Sequence, residues 1–111
     1  MTLFNRVFGC TGLPLFRWGR WRLELWVVPR GAEILDHTHS QLDAWLMLVR
    51  GCMIWRRADR CELMLGARGP IRVGRGVVHG ASARTFSLFL TLEHWVPGAE
   101  VTSAARDLQL A

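Results

Sequence analysis

The stretch Gly31-Ala32-Glu33-Ile34-Leu35-Asp36-His37-Thr38-His39-Ser40-Gln41-Leu42-Asp43-Ala44-Trp45-Leu46-Met47-Leu48-Val49-Arg50-Gly51 decides how this chain is read. Its first half ends in His37-Thr38-His39. In an extended strand residues i and i+2 point to one face, so both imidazoles can converge on a single ion. Asp43 opens the next apolar run after the short connection Ser40-Gln41-Leu42. A carboxylate there can complete a facial set of two His and one carboxylate, a grouping that leaves coordination positions open. His79 follows the turn Gly74-Arg75-Gly76, and sheet pairing can return it to the same cavity. The alternative for His79 is a core histidine satisfied by hydrogen bonds.

Outward from this stretch the chain is a series of short β-type runs. Strands are expected at Arg22–Val28, Glu33–His39, Leu42–Arg50, Cys52–Arg57, Cys61–Leu65, Ile71–Val73, Val77–His79 and Thr85–Trp95. Breaks such as Pro29-Arg30-Gly31, Arg50-Gly51 and Gly66 to Pro70 fit turn chemistry. In the last run Phe86, Leu88, Leu90, Leu92 and His94 share one face, and Thr85, Ser87, Thr91 and Glu93 the other. The apolar set is expected inside, with Glu93 facing away. By parity with Asp43, the residues Trp45, Met47 and Val49 are expected to line the interior. A helix is expected only over Thr102–Leu110, capped by Thr102 or Ser103. The fold class is therefore all-β, most naturally a single jelly-roll barrel.

With 111 residues there is room for one domain. It divides into an N-terminal strand or arm (1–21), a barrel (22–95) and a C-terminal tail (96–111). The apolar residues of the arm, among them Phe4, Phe8, Phe16 and Trp18, need burial against the chain's own sheet or a partner's. No run approaches the roughly 20 apolar residues of a bilayer-spanning helix, and no secretory signal is evident. A cytoplasmic location is expected. Cys10, Cys52 and Cys61 are too few and too scattered for a disulfide framework, so they read as small hydrophobes. All fourteen basic residues are Arg and the net charge is +5. Their clusters fall at strand ends and turns, so nucleic acid is not expected as a partner.

The residues quoted above resemble the cupin family. Its first motif runs Gly, five residues, His-x-His, three or four residues, Glu, six residues, Gly. This chain has Gly31, His37-Thr38-His39, Asp43 and, after seven intervening residues, Gly51. Counted back from Gly51, Ala44 takes the acid position, which makes a three-His site the alternative. Of the second motif, Gly76 and His79 keep their places, while Arg68, Gly74 and Ala83 stand where it has Gly, Pro and Asn. The resemblance implies a jelly-roll barrel, metal ligands at His37, His39 and His79 with Asp43 as the carboxylate, and a homodimer.

One divalent transition metal is expected, Fe, Mn, Zn or Ni, because imidazole suits several of them. Trp45, Met47 and His94 are the candidate contacts for a small-molecule substrate, with Trp26, Trp55 and Phe89 as further aromatic candidates and core packing as their alternative. The function expected first is a metal-dependent oxidoreductase of the dioxygenase type. The alternatives are a metal-dependent isomerase or lyase, which needs a second ionisable group in the pocket, and a non-catalytic binding module. No catalytic residue is assigned.

Overall fold

β-branched, aromatic and leucine-rich runs separated by glycine turns build eleven strands and no helix among the described residues. A computed structural model describes residues 5–58, 60–66 and 68–111. The strands are β1 (Asn5–Val7), β2 (Cys10–Trp18), β3 (Trp21–Val28), β4 (Glu33–Thr38), β5 (Leu42–Arg50), β6 (Cys52–Arg57), β7 (Arg60–Leu65), β8 (Arg68–Val73), β9 (His79–Ala83), β10 (Ser87–Trp95) and β11 (Gln109–Leu110). They form two antiparallel sheets, ordered β1-β2-β3-β10-β5-β8 and β11-β4-β9-β6-β7. The two layers pack face to face as a jelly roll; no continuous ladder closes them into a barrel.

The arm joins its own sheet, with β2 paired to β3 and β1 to β2, but contrary to expectation this pairing leaves Phe16 and Trp18 exposed; Met1–Phe4 lie outside the described residues. Several boundaries differ from expectation: β8 already begins at Arg68, within the stretch expected as a turn, and β10 begins at Ser87 rather than Thr85. His79 starts β9 rather than ending a strand, and 102–110 is not helical. Ser103 does act as a cap, its hydroxyl accepting from the Ala105 N–H at 3.2 Å, but one turn follows and then β11 pairs with β4.

The faces of the larger sheet are the reverse of the alternation read from the sequence. Its inner face carries Leu42, Ala44, Leu46 and Leu48 from β5, and Ser87, Phe89, Thr91, Glu93 and Trp95 from β10, all buried. Leu88, Leu90 and Leu92 lie on the outer face, only half-buried, beside Leu23 and Leu25 of β3. The inward polar groups form a network. Arg22 donates to Glu24 at 2.8 and 3.1 Å and bridges to Glu93 at 3.4 Å, while the Trp95 indole donates to Glu93 at 3.0 Å. Ser103 donates to Glu24 at 3.4 Å, fastening the tail to this end of the interior. Buried charge is tolerated only when paired and hydrogen-bonded, and here it is both.

Candidate metal centre

His37 and His79 are register partners on β4 and β9. A one-residue shift in the ladder between Ile34 and His37 makes this possible. Ile34 and His37 are an odd number of positions apart and would face opposite sides of a regular strand. The bulge re-aims the second of them, so both reach the same cavity. His39 follows directly on β4. The neighbouring Gly80 has no room for a side chain, since a Cβ there would meet the Ile34 carbonyl at 2.6 Å and the Arg56 guanidinium at 2.8 Å.

The three imidazoles are buried, with ring centroids 4.2 Å (His37–His79), 4.9 Å (His37–His39) and 5.1 Å (His39–His79) apart. One ligand nitrogen from each lies within 4.8 Å of the others. Each Nδ1 meets a backbone carbonyl: His37 that of Leu35 at 2.6 Å, His79 that of Val77 at 2.9 Å, and His39 that of Asp107. A carbonyl can only accept, so Nδ1 carries the proton and Nε2 keeps its lone pair. Burial lowers all three pKa values, that of His79 to about 4, and the neighbouring imidazoles lower those of His39 and His79 further. At neutral pH the site is three uncharged imidazoles, each held by a backbone acceptor, which is the donor chemistry a divalent metal requires.

Asp43 is not part of this cluster, which corrects the expected carboxylate ligand. It lies on the outer face of β5, accepting from the Arg75 N–H at 2.9 Å and facing the Arg72 guanidinium at 3.8 Å. Ala44 lines the cavity in its place, so the counting from Gly51 describes the geometry. The expected substrate contacts move with it. Trp45 and His94 flank Trp21 on the outside, at 5.7 and 4.2 Å between centroids, and Met47 is 41% exposed there. Glu93, expected to face outward, is fully buried.

Trp26, Trp55 and Phe89 do line the cavity, as do Phe8, Cys10 and Thr91. Its volume is about 60 Å³, room for roughly four water-sized groups. No Asp, Glu or Arg is among its lining residues. Cys10 contributes a neutral thiol, its pKa pushed up to about 11 by burial. Ala104, Ala105 and Leu108 bring the C-terminal tail over one side. Sequence reasoning gave that tail no part in the site. Asp107 holds His39 through its carbonyl and fastens the following loop through its carboxylate, which accepts from Ser40 Oγ and the Gln41 N–H, both at 2.8 Å. No local pattern joins residues so far apart in the chain.

No family model and no curated protein sequence matches the chain. Solved structures do. KdgF from a Halomonas species superposes with a TM-score of 0.76 at 18% identity, over 84% of this chain and 87% of that one. An RmlC-like cupin from Shewanella frigidimarina gives 0.74 at 16%, over 85% and 83%. A cupin-superfamily sugar phosphate isomerase from Silicibacter pomeroyi gives 0.70 at 21%, over 80% and 61%. At such low identity the likeness is one of fold alone: this chain shares with these cupin structures the course of its strands.

Proposed function

We propose that the protein binds one divalent metal ion through His37, His39 and His79 and acts as an oxidoreductase of the dioxygenase type on a small molecule. The observation that carries the reading is three neutral, buried imidazoles at the edge of an apolar cavity with no charged residue in its lining. A redox-active metal held by these three histidines would supply open positions for substrate and dioxygen. The chain's own contribution is to hold the three Nε2 lone pairs convergent and to keep bulk water from the reacting groups. Trp26, Trp55, Phe89 and Leu46 form that apolar wall.

A sugar phosphate isomerase among the structural neighbours favours a second reading, metal-assisted isomerisation. Two features of the cavity weigh against it. A phosphate needs a cationic side chain and a proton shift needs a base, and no Arg or carboxylate lines the cavity. Glu93 lies behind Thr91, whose hydroxyl donates to it at 3.4 Å. Anaerobic loading with Fe(II) followed by nitric oxide tests the dioxygenase reading, which needs a coordination position open to a diatomic gas. It expects the EPR signal of a high-spin iron–nitrosyl adduct; iron that is held but takes up no nitric oxide overturns it.

We also propose a homodimer. Trp45, Met47, Leu88, Leu90, Leu92 and their neighbours give the large sheet a second apolar face, with Met47 and Val49 both 41% exposed. An isologous contact between two such faces would cover it. Light scattering should return twice the 12.6 kDa chain mass, and Leu90→Arg should return the single chain. A native protein of single-chain mass would exclude the dimer.

A further inference from the structure

Trp55 is 5% exposed, and its Nε1 is the one buried side-chain N or O atom among the described residues that has no hydrogen-bond partner. The chain does satisfy the indole of Trp95, which donates to Glu93 at 3.0 Å. Orphaned buried donors are rare because each forfeits its hydration for nothing, so each demands an explanation. Trp55 lines the cavity. On β6 it faces Ala81, and two residues further on Arg57 faces His79. The indole therefore stands one pleat from a proposed metal ligand and on the same inner face. Its ring is fixed edge-on against Phe89, at 5.1 Å and 88°.

We infer that the Trp55 indole N–H is a ligand-recognition group, and that the cavity takes a small carboxylate whose oxygen accepts from it. The inference rests on the metal reading above for the sign of the ligand's charge. Three neutral imidazoles leave a divalent ion's charge uncompensated, and no lining side chain is anionic. An anion therefore completes the site, and a carboxylate can place one oxygen toward the ion and another toward a donor. The rest of the lining is apolar apart from the Thr91 hydroxyl and the neutral Cys10 thiol, so the ligand's remaining atoms are hydrocarbon. The small volume limits it to a few heavy atoms.

Acetate is the probe, xenon the control that fills an apolar cavity without accepting a hydrogen bond. In protein labelled with ¹⁵N at tryptophan, the Trp55 indole resonance, assigned through its contacts with Phe89, should move downfield on adding acetate to the Zn(II)-loaded form and not on adding xenon. Trp55→Phe keeps the ring against Phe89 and removes only the donor. It should weaken acetate binding roughly tenfold, leave Zn(II) affinity unchanged, and leave the melting temperature of the ligand-free protein unchanged or raised. An unmoved resonance in Zn(II)-loaded protein, or undiminished acetate affinity in Trp55→Phe, overturns the inference. So does a variant that loses stability without losing affinity, since the N–H would then serve the fold. The metal reading fails separately: protein that takes up no Zn(II) yet still shows the acetate shift keeps Trp55 as the donor and loses the ion.

Discussion

Replacing His37 with alanine is expected to lower metal affinity by more than about a hundredfold, since even loss of a group that merely orients a ligand costs 10- to 100-fold. The imidazole removed is one of three, and the lining offers no carboxylate to replace it. Asp43→Ala should leave metal content unchanged. Its partners are the Arg75 amide and the largely exposed Arg72 guanidinium, so the cost falls on stability and stays within about 1 kcal/mol. Elemental analysis of the purified variants, with Zn(II) titration of the stripped proteins, reads both outcomes. Loss of metal in Asp43→Ala would mean the carboxylate reaches the ion after all; full metal content in His37→Ala would remove the three-histidine site.

Metal-free protein is expected to lose stability on acidification between about pH 6.5 and pH 4. His79 has its pKa depressed to about 4 by burial and by the nearby His37 and His39. A depressed histidine contributes stability that is fully present above its unfolded value near 6.5 and is lost as pH falls through the folded value. For His79 the contribution is roughly 3 kcal/mol. His37 and His39 act in the same direction, also through burial, although the backbone carbonyls and the acids Asp36 and Asp107 offset part of the effect.

Glu93 opposes them. Burial raises its pKa to about 7 despite the attraction of Arg22, and Glu24 raises it further. A raised carboxyl contributes stability that is present below about 4.5 and is lost as pH rises through 7. The two slopes partly cancel, and three histidines outweigh one acid. Glu93→Gln removes the opposing slope and should steepen the acid loss. Denaturant unfolding in EDTA across this range measures both. Stability that stays flat from pH 6.5 to 4 in Glu93→Gln would mean the imidazoles are already protonated or exposed. Bound Zn(II) adds stability by mass action and should carry the loss to lower pH.

The sequence by itself determined strands β3 to β8 and β10 in outline, the jelly-roll class and the pair His37 and His39, with His79 added by the family motif. All of these are local signals: apolar runs cut by glycine turns, an i, i+2 pair on an extended segment, and a motif with His79 at its expected distance from Gly76. What only the tertiary structure decided was which way the side chains face. On β10 the rule that polar residues face water failed, because Arg22 comes across from β3 to pair with Glu93 and Trp95 donates to it, while the leucines of the same strand lie outside. On β5 an alternation apolar on both faces carries no sign, so nothing local chose Ala44 over Asp43 for the cavity. The bulge in β4 turned Ile34 and His37 to the same side, and Asp107 reached His39 from the far end of the chain. Orientation is a property of the layer a strand packs against, and that layer is assembled from residues distant in sequence.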